Sequence, residues 1–321
     1  MATFKTNMNP EAVNAQILEG NKEKTYSTTF DVKNYLNVRL DGNEQKKKLT
    51  IRLLPSSPES PTPFEKVYMH TIRVNKDVSA SGWKTFVCPT HNHMGTSCPF
   101  CDVSEQAKRA KNSTNNESEK ENYKNVESMN RVREMWIARC IERGHEEDGV
   151  KFWLIANSKD SPYAKIMSVW QNRWDKAKEN GEINDIFDLN TGRDIDVTIT
   201  KQKDGKNTFS IDVDDKSKPL TEDYELGMSW INDQKKWTDV YKVKPIEYME
   251  VIVNGGVPMY SKDKGIYVDS EELKEEAKRI VESNITAKPV DYAHNIVPQT
   301  ATVSVPTASD DAITNVDDLP F

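Results

Sequence analysis

A mainly β fold with inserted helices is what the sequence predicts, on three observations. Between residues 36 and 213 the chain carries a series of short runs rich in β-branched and aromatic residues. The last two, DIDVTIT (194–200) and NTFSIDV (207–213), flank Lys-Gln-Lys-Asp-Gly-Lys, a turn signal, and read as a hairpin. Helical stretches interrupt the strands at roughly 101–111 and 161–181. Many short strands with one or two inserted helices suggest a small barrel, for which a five-stranded OB-type barrel is the natural candidate.

Taken in order, residues 1–35 balance acid and base and read as a flexible arm, in which a short helix fits 10–18. The expected core, 36–245, opens with LTIRLL (49–54), KVYMHTIRV (66–74) and WKTFVC (83–88). It continues with REMWIARCI (133–141) and KFWLIA (151–156). In the helix at 161–181, Ser161 is placed to cap, Pro162 takes the first helical position and Gly181 follows the end. Residues 244–253 fit a helix or a strand. SEELKEEAKRIVES (270–283) predicts an amphipathic helix capped by Ser270, within a C-terminal helical segment spanning 246–285. From 286 to 321 the composition turns to Pro, Thr, Ser, Ala and Asp, which predicts a disordered acidic tail.

The net charge of −7 is unevenly placed. Residues 36–143 hold 18 Lys and Arg against 13 Asp and Glu, a local balance of +5. Such a dipolar chain suits a protein that grips an anion with one part and repels it with another. No run of about eighteen apolar residues predicts a membrane span, and residues 1–16 do not read as a secretory signal. Four cysteines in a long chain without a signal predict a reducing compartment, where metal binding is a better reading than disulfides.

The strongest local signal is Cys88-Pro-Thr-His-Asn-His-Met-Gly-Thr-Ser-Cys98-Pro-Phe-Cys101. A Cys-x-x-Cys pair places two thiolates on one metal, and Cys88 supplies a third from the preceding strand. Zinc takes four such ligands in a tetrahedron, with His70, His91 and His93 as candidates for the fourth. His70 lies on a run that could pair with WKTFVC across 75–82, and His91 is convenient by spacing. No nearby Glu forms a general-base arrangement, so the expected role is structural. Cys140, within WIARCI, reads as core.

At these residues the chain resembles the zinc-containing single-stranded DNA-binding proteins of large tailed bacteriophages. The resemblance runs from about 50 to 213. It rests on IRLLPSS followed by PFEKVYMH, on Gly82-Trp83 before Cys88, on the Cys88-x9-Cys98-Pro-x-Cys101 spacing, on Trp136, on GVKFWLI and on DVTITKQKDGKNTFSIDV. It implies an OB barrel with an inserted zinc subdomain, here about 64–105, and one structural zinc with His70 as fourth ligand. It also implies a non-enzymatic role in the cytoplasm of a bacterial host: coating single-stranded DNA during replication, recombination and repair. Two features depart from the family. Only Lys5 stands where a dense basic segment drives cooperative binding, so only weak self-association on DNA is expected. Asp317, Asp318, Leu319, Pro320 and Phe321 instead resemble the tip of bacterial single-stranded DNA-binding proteins, which docks replication and repair enzymes.

Sequence-independent binding needs a cationic groove and aromatic faces. Candidate cations are Lys46, Lys47, Lys48, Arg52, Arg131, Arg133, Arg139 and Lys151; candidate platforms are Tyr68, Trp83, Trp136 and Trp153. Strict alternation puts Arg131, Arg133 and Arg139 on one face and Trp136 with Cys140 on the other. The competing reading is a replication enzyme subunit of primase or nuclease type with a zinc ribbon, for which Asp194 and Asp196 offer a weak pair of cation ligands.

Overall fold

The computed structural model describes residues 32–40, 42–180, 185–203 and 206–286. Residues 1–31 of the expected arm, with its helix at 10–18, and residues 287–321 of the acidic tail lie outside the described residues; of the arm's remainder, Val32–Asn34 form a 3-10 turn and Tyr35 bridges to Phe152. Strands β1 (Lys46–Leu54), β2 (Phe64–Arg73) and β3 (Trp83–Val87) come first. Helices α1 (Pro99–Ser113) and α2 (Glu117–Asn130) then form an antiparallel-style hairpin of packed helices before β4 (Arg133–Glu142) and β5 (Lys151–Ala156). Helix α3 (Pro162–Asn180) precedes the hairpin β6 (Ile195–Lys201) and β7 (Asn207–Val213). Short helices α4 (Tyr224–Ile231), α5 (Trp237–Val240) and α6 (Ile246–Val253) follow. A small hairpin, β8 (Pro258–Ser261) and β9 (Ile266–Asp269), leads into α7 (Ser270–Thr286).

The seven larger strands make one antiparallel sheet, ordered β3-β2-β4-β1-β6-β7, with β5 on the other side of β4. Strand β4 is the hub. Its first half pairs with β2 and its second half with β1, while β5 runs along the opposite edge. The expected closed barrel is not formed. Among the described residues β3 and β7 end the sheet without meeting, so the strands expected in a ring instead form an open, branched sheet.

Period-two alternation explains both faces. Register puts Phe64, Trp136, Ala138, Cys140, Leu53 and Ile195 on one face, where they pack with Trp153, Ile155 and Ile166 beneath α3. The opposite face carries Val67, Met69, Met135, Ile137, Phe152 and Leu154, covered by Trp237 and Tyr241. Strand β4 is therefore apolar on both sides, as a central strand must be. Residues 246–253 are a helix, not a strand: Tyr248, Met249 and Ile252 recur at helical spacing and pack into the cluster containing Cys88, Cys98 and Phe100.

Candidate metal centre and flanking surface

Strand pairing creates the site. Register sets His70 opposite Phe86, and the Cys88 amide donates to the Tyr68 carbonyl at 3.0 Å, carrying the ladder one residue beyond β3. This places Cys88 on the same sheet face as His70. Cys98 and Cys101 come from the start of α1, where Pro99 at the first helical position fixes the turn. The helix N-terminus turns its unpaired amides and positive dipole end toward this pair.

The donor atoms of His70, Cys88, Cys98 and Cys101 all lie within 4.8 Å of one another, close enough to hold one metal ion. His70 Nε2 is 3.3 Å from Cys98 Sγ and 3.5 Å from Cys101 Sγ, and Cys88 Sγ is 3.6 Å from Cys101 Sγ. Edges of a tetrahedral site with sulfur at about 2.3 Å and nitrogen at about 2.0 Å from the ion would be roughly 3.5–3.8 Å, so these donors fit one. His70 Nδ1 donates to the Asn130 carbonyl at 2.8 Å. That carbonyl belongs to the last turn of α2 and lacks an intrahelical partner. Because a carbonyl only accepts, the bond fixes the tautomer and leaves the Nε2 lone pair facing the thiols. The ring also packs on Phe100, centroids 5.2 Å apart.

Cys88 and Cys101 compete for one charge. Thiol hydrogen bonds from Cys101 and Cys98 hold Cys88 down to about 3, while the bond to Cys88 drives Cys101 far above its ordinary value. A bound cation would relieve that competition, because a metal takes cysteine as thiolate. Cys140 is core as expected, its thiol pushed up by burial.

Four residues expected to face nucleic acid lie inside. Arg52 and Arg139 are both 0% exposed. Arg52 donates to the carbonyls of Asp188 (2.8 Å) and Lys218 (3.0 Å) and faces Asp194. Gly192 closes over it: a Cβ there would collide with the Asp188 carbonyl and stand 2.8 Å from Arg52 Nη2. Arg139 donates to the carbonyls of Trp230 and Asp233, both at 3.0 Å. Burial pulls both guanidinium groups below their usual range. Lys151 is buried between Glu142 (2.6 Å) and Asp148 (3.0 Å), and Trp153 is core. Asp194 is held by Arg143 and Lys218, Asp196 by Lys48 and Thr50. Both carboxylates offered as a cation pair are thus already matched with cations, and Asp194 is buried.

Other expected contacts are at the surface. Lys46, Lys48 and Arg131 are exposed, and Lys47, Tyr68 and Arg133 are half-buried. Trp136 is half-buried and stacked on Tyr163, centroids 4.2 Å apart, with Lys66 Nζ over its ring. Register confirms that Arg133 and Arg139 share one face and Trp136 and Cys140 the other. Trp83 is 48% exposed at the end of β3, directly across from exposed Arg73. They share the face of Arg133, because Met69 pairs with both Val87 and Arg133. Sequence reasoning missed Arg73; its place three residues beyond His70 on the same strand was the available signal. The tip residues Asp317 to Phe321 lie outside the described residues. No described helix is long and apolar enough to cross a membrane. No family model matches the chain, and no curated protein matches it either.

Proposed function

We propose that the protein binds single-stranded DNA without sequence preference, and that His70, Cys88, Cys98 and Cys101 carry one structural zinc. Three thiolates with one imidazole are the donor set zinc favours in closed sites. The observation that carries the DNA reading is the exposed Trp83 set across from Arg73 on the face that also bears Arg133. Aromatic faces beside cations accept bases and phosphates of any sequence. The metal links to that surface through covalent neighbours. His70 holds Asn130, and Arg131 and Arg133 follow it directly in the chain. Zinc therefore anchors the segment that presents the two arginines.

Titrating the full chain with oligo-dT and with duplex of equal length, following tryptophan fluorescence, tests this reading. Tight binding and quenching by oligo-dT, lost by more than tenfold with Trp83→Ala on the order expected for one stacked base, supports it. Equal affinity for duplex, or no binding to either, overturns it. The acidic tip is proposed to dock replication and repair enzymes, Phe321 filling an apolar pocket while the carboxylates meet basic groups at its rim. Deleting Phe321 should abolish such pull-down and leave DNA affinity unchanged; retention of every partner would remove that role.

A further inference from the structure

A fifth donor stands at the metal centre. His91 Nδ1 lies 3.3 Å from Cys88 Sγ and 3.6 Å from Cys101 Sγ, in an exposed loop. Its place is built. The Asn92 side chain accepts from the Tyr68 amide (3.0 Å) and donates to the carbonyls of Tyr68 (2.6 Å) and Cys88 (2.8 Å). The turn is closed by His93 donating to Thr90 and Met94 to Pro89. These bonds clamp residues 88–94 onto β2, and the His91 ring rests near Tyr68, centroids 5.7 Å apart. The two imidazoles reach different sulfurs. Buried His70 faces Cys98 and Cys101; exposed His91 faces Cys88 and Cys101. Cys101, the least buried of the three thiols, is common to both.

We propose that His91 is the exchange ligand of this centre, through which the divalent ion enters and leaves, and that His70 is the ligand of the resting site. This rests on the reading that the centre holds a metal. An incoming ion is first bound by His91, Cys88 and Cys101 at the solvent side. Cys98 and His70 then complete the tetrahedron and His91 is released. Whatever thiol protons the ion displaces pass to solvent, and nothing is oxidised or reduced. An exchange ligand speeds loading and unloading alike and leaves the equilibrium nearly unmoved. An imidazole that merely donated a hydrogen bond to sulfur would instead alter release and affinity, leaving capture untouched.

The test uses metal-free and zinc-loaded full chain in stopped flow, measuring zinc capture and release to a chromophoric chelator. His91→Ala and His91→Gln should each markedly slow both capture and release, with affinity nearly constant. Cobalt-loaded wild type and both variants should share one visible spectrum, since the resting ligands are the same. Unchanged rates in His91→Ala overturn the proposal. So does unchanged capture with faster release, or restoration of wild-type rates by Gln, which donates but ligates poorly. Wild type that takes up no zinc would remove the centre itself, a failure distinct from either.

Discussion

Asp194 shows how much one side chain decides here. Its buried carboxylate receives Arg143 at 2.9 and 3.0 Å and Lys218 at 3.0 Å, and balances the fully buried Arg52. Removing one partner of a buried pair leaves an uncompensated charge in a medium that cannot solvate it. Asp194→Ala should therefore cost about 3–5 kcal/mol of unfolding free energy, read from the urea midpoint at constant slope. A loss below about 1 kcal/mol, the value of exposed pairs, would contradict the described burial. None of this was legible in the sequence. An arginine in a strand such as IRLL reads as surface, and only an aspartate 142 positions away in chain order, brought to it by β1–β6 pairing, reveals an interior role. The cysteine spacing, by contrast, is local and was readable. The choice of His70 came from the resemblance, and its Asn130 partner was hidden.

That partner was hidden because α2 went unseen. The helix buries no side chain, so it lacks the apolar stripe on which periodicity depends. A cap signal was present: Asn116 accepts from the amides of Ser118 and Glu119, and the Asn-x-x-Glu spacing resembles a capping box. Helices with strong local patterns, α3 and α7, were legible within a few residues, as was the β6–β7 hairpin. Barrel closure was not, because it depends on which strand edges meet, and register is set across distant segments. At this scale a metal held by the four donors would join β2, the end of β3 and the start of α1. Chelation should lower amide protection in β2, β3 and α1, and also in α6, since Tyr248, Met249 and Ile252 share the cluster of Cys88, Cys98 and Phe100. Hydrogen exchange with and without chelator measures it. Loss confined to 88–101 would show that α6 does not depend on the centre.

Over the whole molecule fewer of the expected cations reach the surface. Of eight cations expected in a groove, Arg52, Arg139 and Lys151 are interior and Lys48 is paired with Asp196 at 2.8 Å. Arg73 joins Lys46, Lys47, Arg131 and Arg133 at or near the surface. If four to six phosphates are neutralised, log affinity against log salt should fall with a slope of roughly −3 to −4, at about −0.7 per contact on single strands. Arg133→Ala should flatten it by less than one unit, and a slope near zero would dismiss the cationic surface. One ion held by the four donors would tie β2 and β3, which carry Arg73 and Trp83, to α1 and, through His70 and Asn130, to the end of α2 that precedes Arg131 and Arg133. Metal content of the full-length protein under native mass spectrometry tests it most directly. One zinc per chain is expected, retained in His91→Ala and lost or weakened at least about tenfold in His70→Ala. Wild type without stoichiometric metal, or His70→Ala holding zinc as firmly as wild type, would contradict the account.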